Sequence, residues 1–421
     1  MQIAFLVLDA SIGGHARSSA TIAKALVENG NSVVFIGPEN SPVLQKGAGG
    51  VQFVALPAAN RNPLRDAWLL RELSKIIRTR NIEVIHTFDL HSHVAGYFLS
   101  RCCGIPVVST ICGGTIKYRY PYTRPVIVFS RELKETMTRV LGFREDEVIV
   151  EPARMYLRGF RSSIQELPLP SYPGVCTSVK KLVMIARLSQ TKVNSILHSL
   201  YAVESLARQR DDFMLVVIGA SQDETVKSRI VSRINQINDS VGRTVVVHDE
   251  SLSSHAAHYL ASADVVIGVG RVCFEGMIFG KPVMVVGESG FAGCISPSLS
   301  DDDLSAIAHY NFSGRNVLKH GLPGGGDGRQ AMAQTLERLL TDAMFRNDTA
   351  EFGYRYVLEH YDVHAAVRTY ERVYSEVTGM VQQPRDSLVR AMCGYGILLG
   401  GKIKDVYHRL KKSDVQYSRT D

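Results

Sequence analysis

The sequence predicts two doubly wound α/β domains joined by a short linker. Short apolar runs rich in β-branched residues alternate with longer amphipathic stretches, as they do in parallel strand–helix–strand units. The alternation runs through residues 1–160 and starts again at residue 181. The intervening residues 161–180 contain closely spaced prolines, which are typical of a linker. We therefore expect two Rossmann-like halves that face a central cleft and bind ligands beyond the carboxyl ends of their strands.

The expected elements follow the same pattern in both halves. In the first domain, residues 1–160, strands are predicted at 2–8, 32–36, 51–56, 82–87, 105–109 and 126–129, with helices near 17–29, 64–80, 91–102 and 131–142. In the second, residues 181–362, strands are predicted near 181–186, 213–218, 244–248, 264–268 and 282–286, with helices near 192–208, 223–237, 253–261 and 272–279. A helix over 363–379 and a basic amphipathic tail over 380–421 complete the expected organisation.

The composition excludes several protein classes. The chain has 421 residues, of which 45% are hydrophobic and 21% charged, so a disordered chain is excluded. The seven cysteines form no CxxC motif and no Cys/His cluster, which favours reduced thiols over a metal site or disulfides. No basic segment precedes the first apolar run, and no run approaches the about 18 apolar residues of a membrane span. We expect a cytoplasmic protein without a nucleic-acid partner.

The first candidate ligand loop is SIGGHARSS, in which Gly13 and Gly14 follow the first strand and open a helix. Glycines let backbone N–H groups at a helix start approach an anion. A tight turn without a ligand explains the same pattern. Because the segment lacks the GxGxxG fingerprint, Glu39 after the second strand does not indicate a dinucleotide enzyme.

A second loop, in LVMIARLSQTK, carries Arg187 and Lys192 after the first strand of the second half. A guanidinium and an ammonium there can neutralise a diphosphate and stabilise charge on a leaving nucleoside diphosphate. The alternative is that both lie on solvated surface. Gly219 follows the next strand, and His248 and Asp249 end the strand after that, where they are candidates to border a base.

The segment 263–293 is the most informative part of the chain. A buried strand exits through Gly270, a helix follows, and Glu275 lies one turn into it. The helix start offers free N–H groups to a phosphate, and the carboxylate can accept from ribose hydroxyls. The same carboxylate would complement the helix dipole without any ligand. Arg271 beside Gly270, and Glu288 after the next strand, are further candidates to contact a donor sugar.

A fourth loop, HTFDLHSHVAGY, brings polar residues to the end of a strand in the first half. His91 or His93 is a candidate general base, because a histidine ordinarily titrates near pH 6.5. The HxH spacing beside Asp89 is compatible with a metal site, but no further ligand completes the set, and we expect no metal. Capping of the helix by Asp89 is the alternative explanation.

Four segments, ARLSQTK, LVVIGAS, FEGMIFGKPV and HYDVHAAVRTYERVYSEV, together resemble the retaining nucleotide-sugar glycosyltransferases of GT-B family four. The resemblance covers residues 1 to about 378. It implies a UDP- or GDP-sugar held by the second domain, an acceptor held by the first, no bound metal, and a last helix that crosses back to the first domain. By that resemblance Arg187 and Lys192 would clasp the diphosphate, Glu275 would hold the ribose, and Gly14 would face the phosphates or the acceptor.

Two positions depart from that family. The family carries two glutamates separated by seven residues, whereas this chain has Ile267 eight positions before Glu275, and Gly270-Arg271 stands in the shortened loop. Cys112 occupies the position where the family often has a histidine near the sugar. Whether the anomeric configuration is retained or inverted is therefore left open.

The expected function is transfer of a hexosyl group from a nucleoside-diphosphate sugar, with UDP as the expected nucleotide and no cofactor, to a saccharide or lipid-linked acceptor of surface polysaccharide or glycolipid synthesis. Two alternatives stay open: a non-hydrolysing UDP-sugar 2-epimerase, and a degenerate subunit that partners an active transferase.

The tail over 385–412 has apolar residues at near-helical spacing with basic residues between them, a pattern that suits peripheral contact with anionic lipid. Packing of that tail on the body or on a second subunit fits equally well.

Overall fold

The computed structural model describes residues 1–9, 14–39, 50–57, 63–114, 121–158, 160, 165–176, 178–221, 223–315 and 328–379. These residues form two compact units. One consists of the described residues of Met1–Met155 together with Val363–Gly379, and the other consists of those of Tyr156–Asp362.

The first unit is built on a seven-stranded sheet. Its strands are β1 (Gln2–Leu6), β2 (Ser32–Pro38), β3 (Gln52–Leu56), β4 (Val84–Thr87), β5 (Val107–Ile111), β6 (Val126–Val128) and β7 (Val148–Val150). Their order is β3-β2-β1-β4-β5-β6-β7, and every pairing is parallel. The strand order therefore reverses direction between β1 and β4, as in a Rossmann fold.

Four α-helices follow these strands: α1 (Gly14–Glu28), α2 (Pro63–Thr79), α3 (Leu90–Cys103) and α4 (Arg131–Arg139), with a 3₁₀ helix at Glu145–Glu147. Helix α2 packs on the sheet through Leu69, Leu73 and Ile77, which lie in one buried cluster with residues of β1, β2 and β4. These three positions recur every four residues, which is the spacing that puts side chains on one helix face.

The second unit repeats the arrangement with six strands. They are β8 (Lys180–Ile185), β9 (Phe213–Ile218), β10 (Val246–Asp249), β11 (Val265–Gly268), β12 (Val283–Gly287) and β13 (Gly290–Cys294), in the order β10-β9-β8-β11-β12-β13. Only β13 is antiparallel to its neighbour among these described strands. The helices are α5 (Val193–Ala207), α6 (Glu224–Val241), α7 (Arg271–Ile278), α8 (Asp301–His309), α9 (Gly328–Thr341) and α10 (Ala343–His360). Both predicted doubly wound sheets are thus confirmed.

One predicted helix and part of the expected linker look different in the structure. The helix expected at 253–261 is a 3₁₀ segment, Ser251–Ser262, that is interrupted by non-helical torsion angles at His255. Within the segment expected as a linker, Leu167 pairs with the second unit: its N–H donates to the carbonyl of His258 at 3.0 Å, and its carbonyl accepts from Ser262 Oγ at 2.7 Å. These described residues therefore pack as part of the second unit.

The last described helix, α11 (Val363–Gly379), follows the second unit in sequence but belongs to the first. Buried His86 on β4 joins it to the sheet: His86 Nδ1 lies 2.6 Å from the hydroxyl of Tyr374, and Nε2 lies 2.6 Å from Thr110 Oγ1. Burial lowers the pKa of His86 well below its usual value, and nearby His93 lowers it further. A neutral imidazole, which has one donor and one acceptor, therefore links the helix to the core.

Candidate functional site

Each sheet has a switch point at which the strand order reverses, between β1 and β4 in the first and between β8 and β11 in the second. In open parallel sheets, ligands bind outside the carboxyl ends of the strands at such a point. The four candidate loops of the sequence follow these four strands. The loops that the sequence analysis predicted to bind ligands therefore lie at the two switch points.

In the second unit, Arg187 and Lys192 lie in the loop that joins β8 to α5. Lys192 is the residue that caps α5, and its side chain makes no capping hydrogen bond. The first N–H groups of a helix have no partner within the helix. At this helix start the N–H groups of Lys192 and Val193 already donate to the carbonyl of Ser189, at 2.9 and 3.0 Å. An anion beside Lys192 would therefore meet its ammonium before any of these backbone donors.

The electrostatics of Lys192 show which charged groups surround it. Burial lowers the pKa of Lys192, nearby Arg315 and Arg187 lower it further, and Glu288 opposes them. Two further cations and one carboxylate thus lie within electrostatic range of Lys192. We call Arg187, Lys192, Arg315 and Glu288 the basic cluster. The sequence analysis found three of its members but missed Arg315.

Backbone contacts explain how Arg315 reaches the cluster. A Cβ at Gly287, where β12 ends, would lie 2.1 Å from the carbonyl oxygen of Ser313. A Cβ at Gly314, whose φ is +63°, would lie 2.5 Å from the nitrogen of Gly287. Only glycine permits two backbone segments to approach each other so closely. The contact of Gly287 with Gly314 therefore holds Arg315 beside the loop that carries Glu288. In the sequence, the only indication of this arrangement was the dipeptide Gly314-Arg315.

The N-cap residue of helix α7 is Gly270, which has φ 57° and ψ −122°. Because it is a glycine, no side chain caps the first N–H groups of this helix. The N–H of Gly270 donates to the carbonyl of Phe312 at 2.8 Å. The carboxylate of Glu275, a predicted acceptor for ribose hydroxyls, accepts through Oε1 from Arg271 Nε at 2.9 Å, and the residue is only 4% exposed. Any ligand role of Glu275 must therefore involve the Arg271–Glu275 pair as a unit.

Gly219, His248 and Asp249 are engaged with the protein. A Cβ at Gly219 would lie 1.9 Å from the carbonyl oxygen of Ala186, so this glycine serves the approach of two loops. His248 Nε2 lies 2.9 Å from the Gly219 carbonyl, and Asp249 accepts from the hydroxyl of Tyr172 at 3.2 Å. These contacts hold all three residues in place within the protein, and their contact with a nucleotide-sugar stays a prediction.

In the first unit, Asp89 forms a capping box with Ser92 at the start of α3. Its second carboxylate oxygen accepts from the N–H of Leu8 at 2.8 Å. Asp89 therefore joins the end of β1 to the start of α3, as the capping interpretation expects. Gly14 is the first residue of α1, and a Cβ there would meet nothing within 4 Å. Gly13 lies outside the described residues.

The two histidines of α3 differ in their surroundings. His93 Nδ1 lies 2.8 Å from Thr87 Oγ1. Burial lowers the pKa of His93 to about 4, an effect that Asp89 opposes and His15 strengthens. Because of this burial we expect His93 to titrate below pH 6.5 in the folded chain, and its role as a general base stays a prediction. By contrast, both ring nitrogens of His91 are buried without a hydrogen-bond partner among the described residues.

An unsatisfied buried nitrogen costs about 1–3 kcal/mol and in native structures indicates an unseen water, ion or ligand. His91 is therefore the residue of this loop that most needs a partner. Cys112 does not supply a reactive thiolate here, because burial raises its pKa and Asp89 raises it further.

We expect buried His93 to make stability pH-dependent. Its pKa is about 4 when folded against about 6.5 when unfolded, so the unfolded state binds more protons between these values. The contribution of neutral His93 to the free energy of unfolding is complete above pH 6.5 and is lost as the pH falls through the folded-state pKa. The free energy of unfolding should fall by about 2 kcal/mol from pH 7 to pH 5 through His93 alone.

Urea unfolding of the wild-type chain and of His93→Gln at both pH values measures this effect as a difference between variants. His255→Gln, which changes an exposed histidine, is the matched control. Equal pH dependence in His93→Gln and the wild-type chain would contradict the assignment.

Among the described residues, no group of three or more His, Cys, Asp or Glu side chains is arranged to hold a metal ion. No helix within the described part of the chain is both long and apolar enough to cross a membrane.

Residues 12–152 match the family model described as Glycosyltransferase Family 4, and no curated protein sequence matches. A glycosyltransferase from Rickettsia africae superposes with a TM-score of 0.63 at 16% identity, covering 89% of this chain and 98% of its own. HepE from Anabaena, solved with UDP and glucose, gives 0.61 at 15%, covering 89% and 100%. A putative UDP-N-acetylglucosamine 2-epimerase from Listeria monocytogenes gives 0.56 at 13%, covering 92% and 99%.

Each of these three structures superposes over most of both chains, which shows a shared fold of two Rossmann-like domains. The chain is therefore a protein of the GT-B fold that is similar to Glycosyltransferase Family 4.

Proposed function

We propose that the chain is a glycosyltransferase that moves a hexosyl group from a UDP-sugar to a saccharide or lipid-linked acceptor in the synthesis of a surface polysaccharide or glycolipid. The match of residues 12–152 to Glycosyltransferase Family 4 supports transfer as the reaction. The observation that carries the proposal is the basic cluster, because Arg315, Arg187 and Glu288 all lie within electrostatic range of Lys192 at the start of α5.

The charge of the basic cluster fits a diphosphate. Arg187, Lys192 and Arg315 outnumber Glu288, so a ligand with about two negative charges would neutralise the excess. Cations held beside the leaving group stabilise the charge that develops when the bond to the sugar breaks. Leaving-group stabilisation of this kind needs no metal ion.

The remaining residues are given roles by their surroundings. In our proposal Glu275, oriented by Arg271, accepts from the ribose, and the uncapped N–H groups beside Gly270 contact phosphate. His91 binds an acceptor hydroxyl on the first unit, since its ring nitrogens lack partners among the described residues. A hydroxyl can both donate to and accept from an imidazole.

The nucleotide is proposed by analogy with HepE, whose structure contains UDP and glucose. The fold does not separate a transferase from a 2-epimerase, because a putative 2-epimerase is also similar. Incubation of the chain with UDP-N-acetylglucosamine and no acceptor separates them: an epimerase would form a second UDP-sugar, and a transferase would not. A degenerate subunit would bind the nucleotide but would not cleave UDP from any UDP-sugar.

We expect UDP to raise the melting temperature of the purified chain, because a ligand that binds only the folded state stabilises it by mass action. GDP and ADP, each also offered as its sugar conjugate, are the comparison ligands. Arg187→Ala/Lys192→Ala should abolish the shift, and Arg315→Gln should reduce it. Lys134→Ala, which removes a lysine paired with Glu145 in the first unit, should leave it intact. No shift with any nucleotide would contradict the donor site.

The tail over 385–412 is proposed to contact anionic lipid at the cytoplasmic face of the membrane. It lies outside the described residues.

A further inference from the structure

The turn that follows α8 has an unusual backbone conformation. Asn311 and Phe312 have φ of 51° and 54°, in the left-handed region where the Cβ atom of an L-residue is crowded. Among the described residues, one other non-glycine residue, Asn81, has a positive φ. Asparagine tolerates this region, whereas a bulky side chain is rarely found in it. Strain of this kind persists only where the surroundings fix the backbone, and it is concentrated at functional sites.

The surroundings of Phe312 fix the turn. Its side chain is fully buried, and its ring centroid lies 5.1 Å from that of Phe274 on α7 and 5.7 Å from that of Tyr361. Its N–H donates to the carbonyl of Ile307 in α8 at 3.1 Å. A closely packed ring has little room to move without its neighbours. Phe312 therefore holds the turn against both α7 and α8.

The same residue contacts the start of α7. The carbonyl of Phe312 accepts from the N–H of Gly270, the N-cap of that helix, at 2.8 Å. Burial is the main cause of the lowered pKa of Lys192, and Cys273 in the first turn of α7 opposes it. The start of α7 and the basic cluster therefore lie within electrostatic range of each other.

On its other side the turn leads to Arg315. Only Ser313 and Gly314 separate Arg315 from Phe312. The N–H of Arg315 donates to Ser313 Oγ at 3.3 Å, and Gly314 is held against Gly287 by the backbone contact described above. The segment is thus fixed at Phe312 and again at Gly314, so the position of Arg315 depends on the turn.

Asn311 adds a second cost to this turn. Its Oδ1 is buried and has no hydrogen-bond partner among the described residues, which destabilises a folded chain. A glycine at this position would have neither the crowded Cβ nor the buried oxygen. A conformation that is kept at such a cost beside a candidate site favours a role in that site.

We propose that Phe312 is a positioning residue of the donor site, whose contacts hold Arg315 and the start of α7 at the separation at which both meet one diphosphate. The proposal deepens the proposed function and rests on it. Phe312 itself does not touch the nucleotide. The guanidinium and the first N–H groups of α7 are the groups that recognise the phosphates. Groups that are already in place bind a ligand more tightly, because less ordering is needed on binding.

Titration calorimetry with UDP, together with urea unfolding, separates positioning from stability. In Phe312→Leu the smaller side chain loosens the turn, and loss of one charge-assisted contact at Arg315 should weaken UDP binding about tenfold. Phe213→Leu is the matched control. Phe213 is also almost fully buried, but it lies at the start of β9, at the edge of the sheet opposite the basic cluster. Both variants should lose stability in urea, and Phe213→Leu should bind UDP as the wild-type chain does.

A double-mutant cycle tests whether Phe312 acts through Arg315. Arg315→Gln should weaken UDP binding, and in that background Phe312→Leu should have much less effect than in the wild-type chain, because the contact that it positions is already lost. A residue that only stabilises the fold would leave the UDP affinity unchanged in both backgrounds. Asn311→Gly should raise the urea midpoint, since glycine adopts a positive φ without strain.

The proposal is overturned if Phe312→Leu binds UDP as tightly as Phe213→Leu does, or if the effects of Phe312→Leu and Arg315→Gln on UDP affinity are additive. A lower urea midpoint in Asn311→Gly would also count against it, because the turn would then be unstrained. Failure of the wild-type chain to bind UDP is a separate result, which would remove the donor site and this proposal together.

Discussion

The Lys192→Ala variant should release UDP from a UDP-sugar roughly 10²–10³-fold more slowly than the wild-type chain, which is the usual effect of removing one preorganised charge-stabilising group. Lys192 lies among Arg187, Arg315 and Glu288 at the start of α5. Its ammonium would stabilise the diphosphate as the bond to the sugar breaks. Steady-state turnover at saturating UDP-sugar measures the effect.

Two comparisons make that measurement specific. Lys192→Arg keeps the positive charge and should retain more turnover than Lys192→Ala. Lys134→Ala removes a lysine that pairs with Glu145 at the surface of the first unit and should turn over normally. Wild-type turnover in Lys192→Ala would remove Lys192 from the reaction.

Gly219→Ala should lower the free energy of unfolding by about 3 kcal/mol or more, since overpacking against a backbone atom cannot be relieved by a side-chain rotation. The added methyl group would lie 1.9 Å from the carbonyl oxygen of Ala186 and 3.3 Å from the nitrogen of Arg187. The loop that carries Arg187 would have to move. We therefore expect UDP binding to weaken together with stability.

The urea midpoint of the wild-type chain, of Gly219→Ala and of Gly379→Ala tests this. Gly379 ends α11, and a Cβ there would meet nothing within 4 Å, so Gly379→Ala should unfold near the wild-type midpoint. Equal midpoints for both alanine variants would contradict this prediction, because they would show that a methyl group fits at Gly219.

Long apolar runs predicted the sheets well, because buried parallel strands are continuous apolar segments. The strand β7 (Val148–Val150) was missed because its apolar run is limited to three residues between Glu147 and Glu151, whereas that of β6 continues to Phe129. The strand β13 (Gly290–Cys294), with the sequence GFAGC, was missed because its glycines are typical of a loop. Its antiparallel pairing to β12 supplies the hydrogen bonds that intrinsic propensity does not.

The candidate site was predictable where one βα loop contributes the residue. Arg187 and Lys192 follow β8 directly, and the position of a loop after a parallel strand locates its side chains. Arg315 was not predictable in this way, because the contact of Gly287 with Gly314 is needed to bring it to the cluster. Likewise, the lowered pKa of His93 depends on burial that the sequence pattern does not specify.

The attachment of α11 to β4 affects the order in which the protein matures on the ribosome. Tyr370 and Tyr374 are almost fully buried in the first unit, yet they are translated after all of Tyr156–Asp362. Until they emerge, His86 lacks its tyrosine hydroxyl and the hydrophobic interior around it stays open. The second unit is contiguous in the chain, so it can finish folding first, whereas the first unit must wait until α11 has been translated.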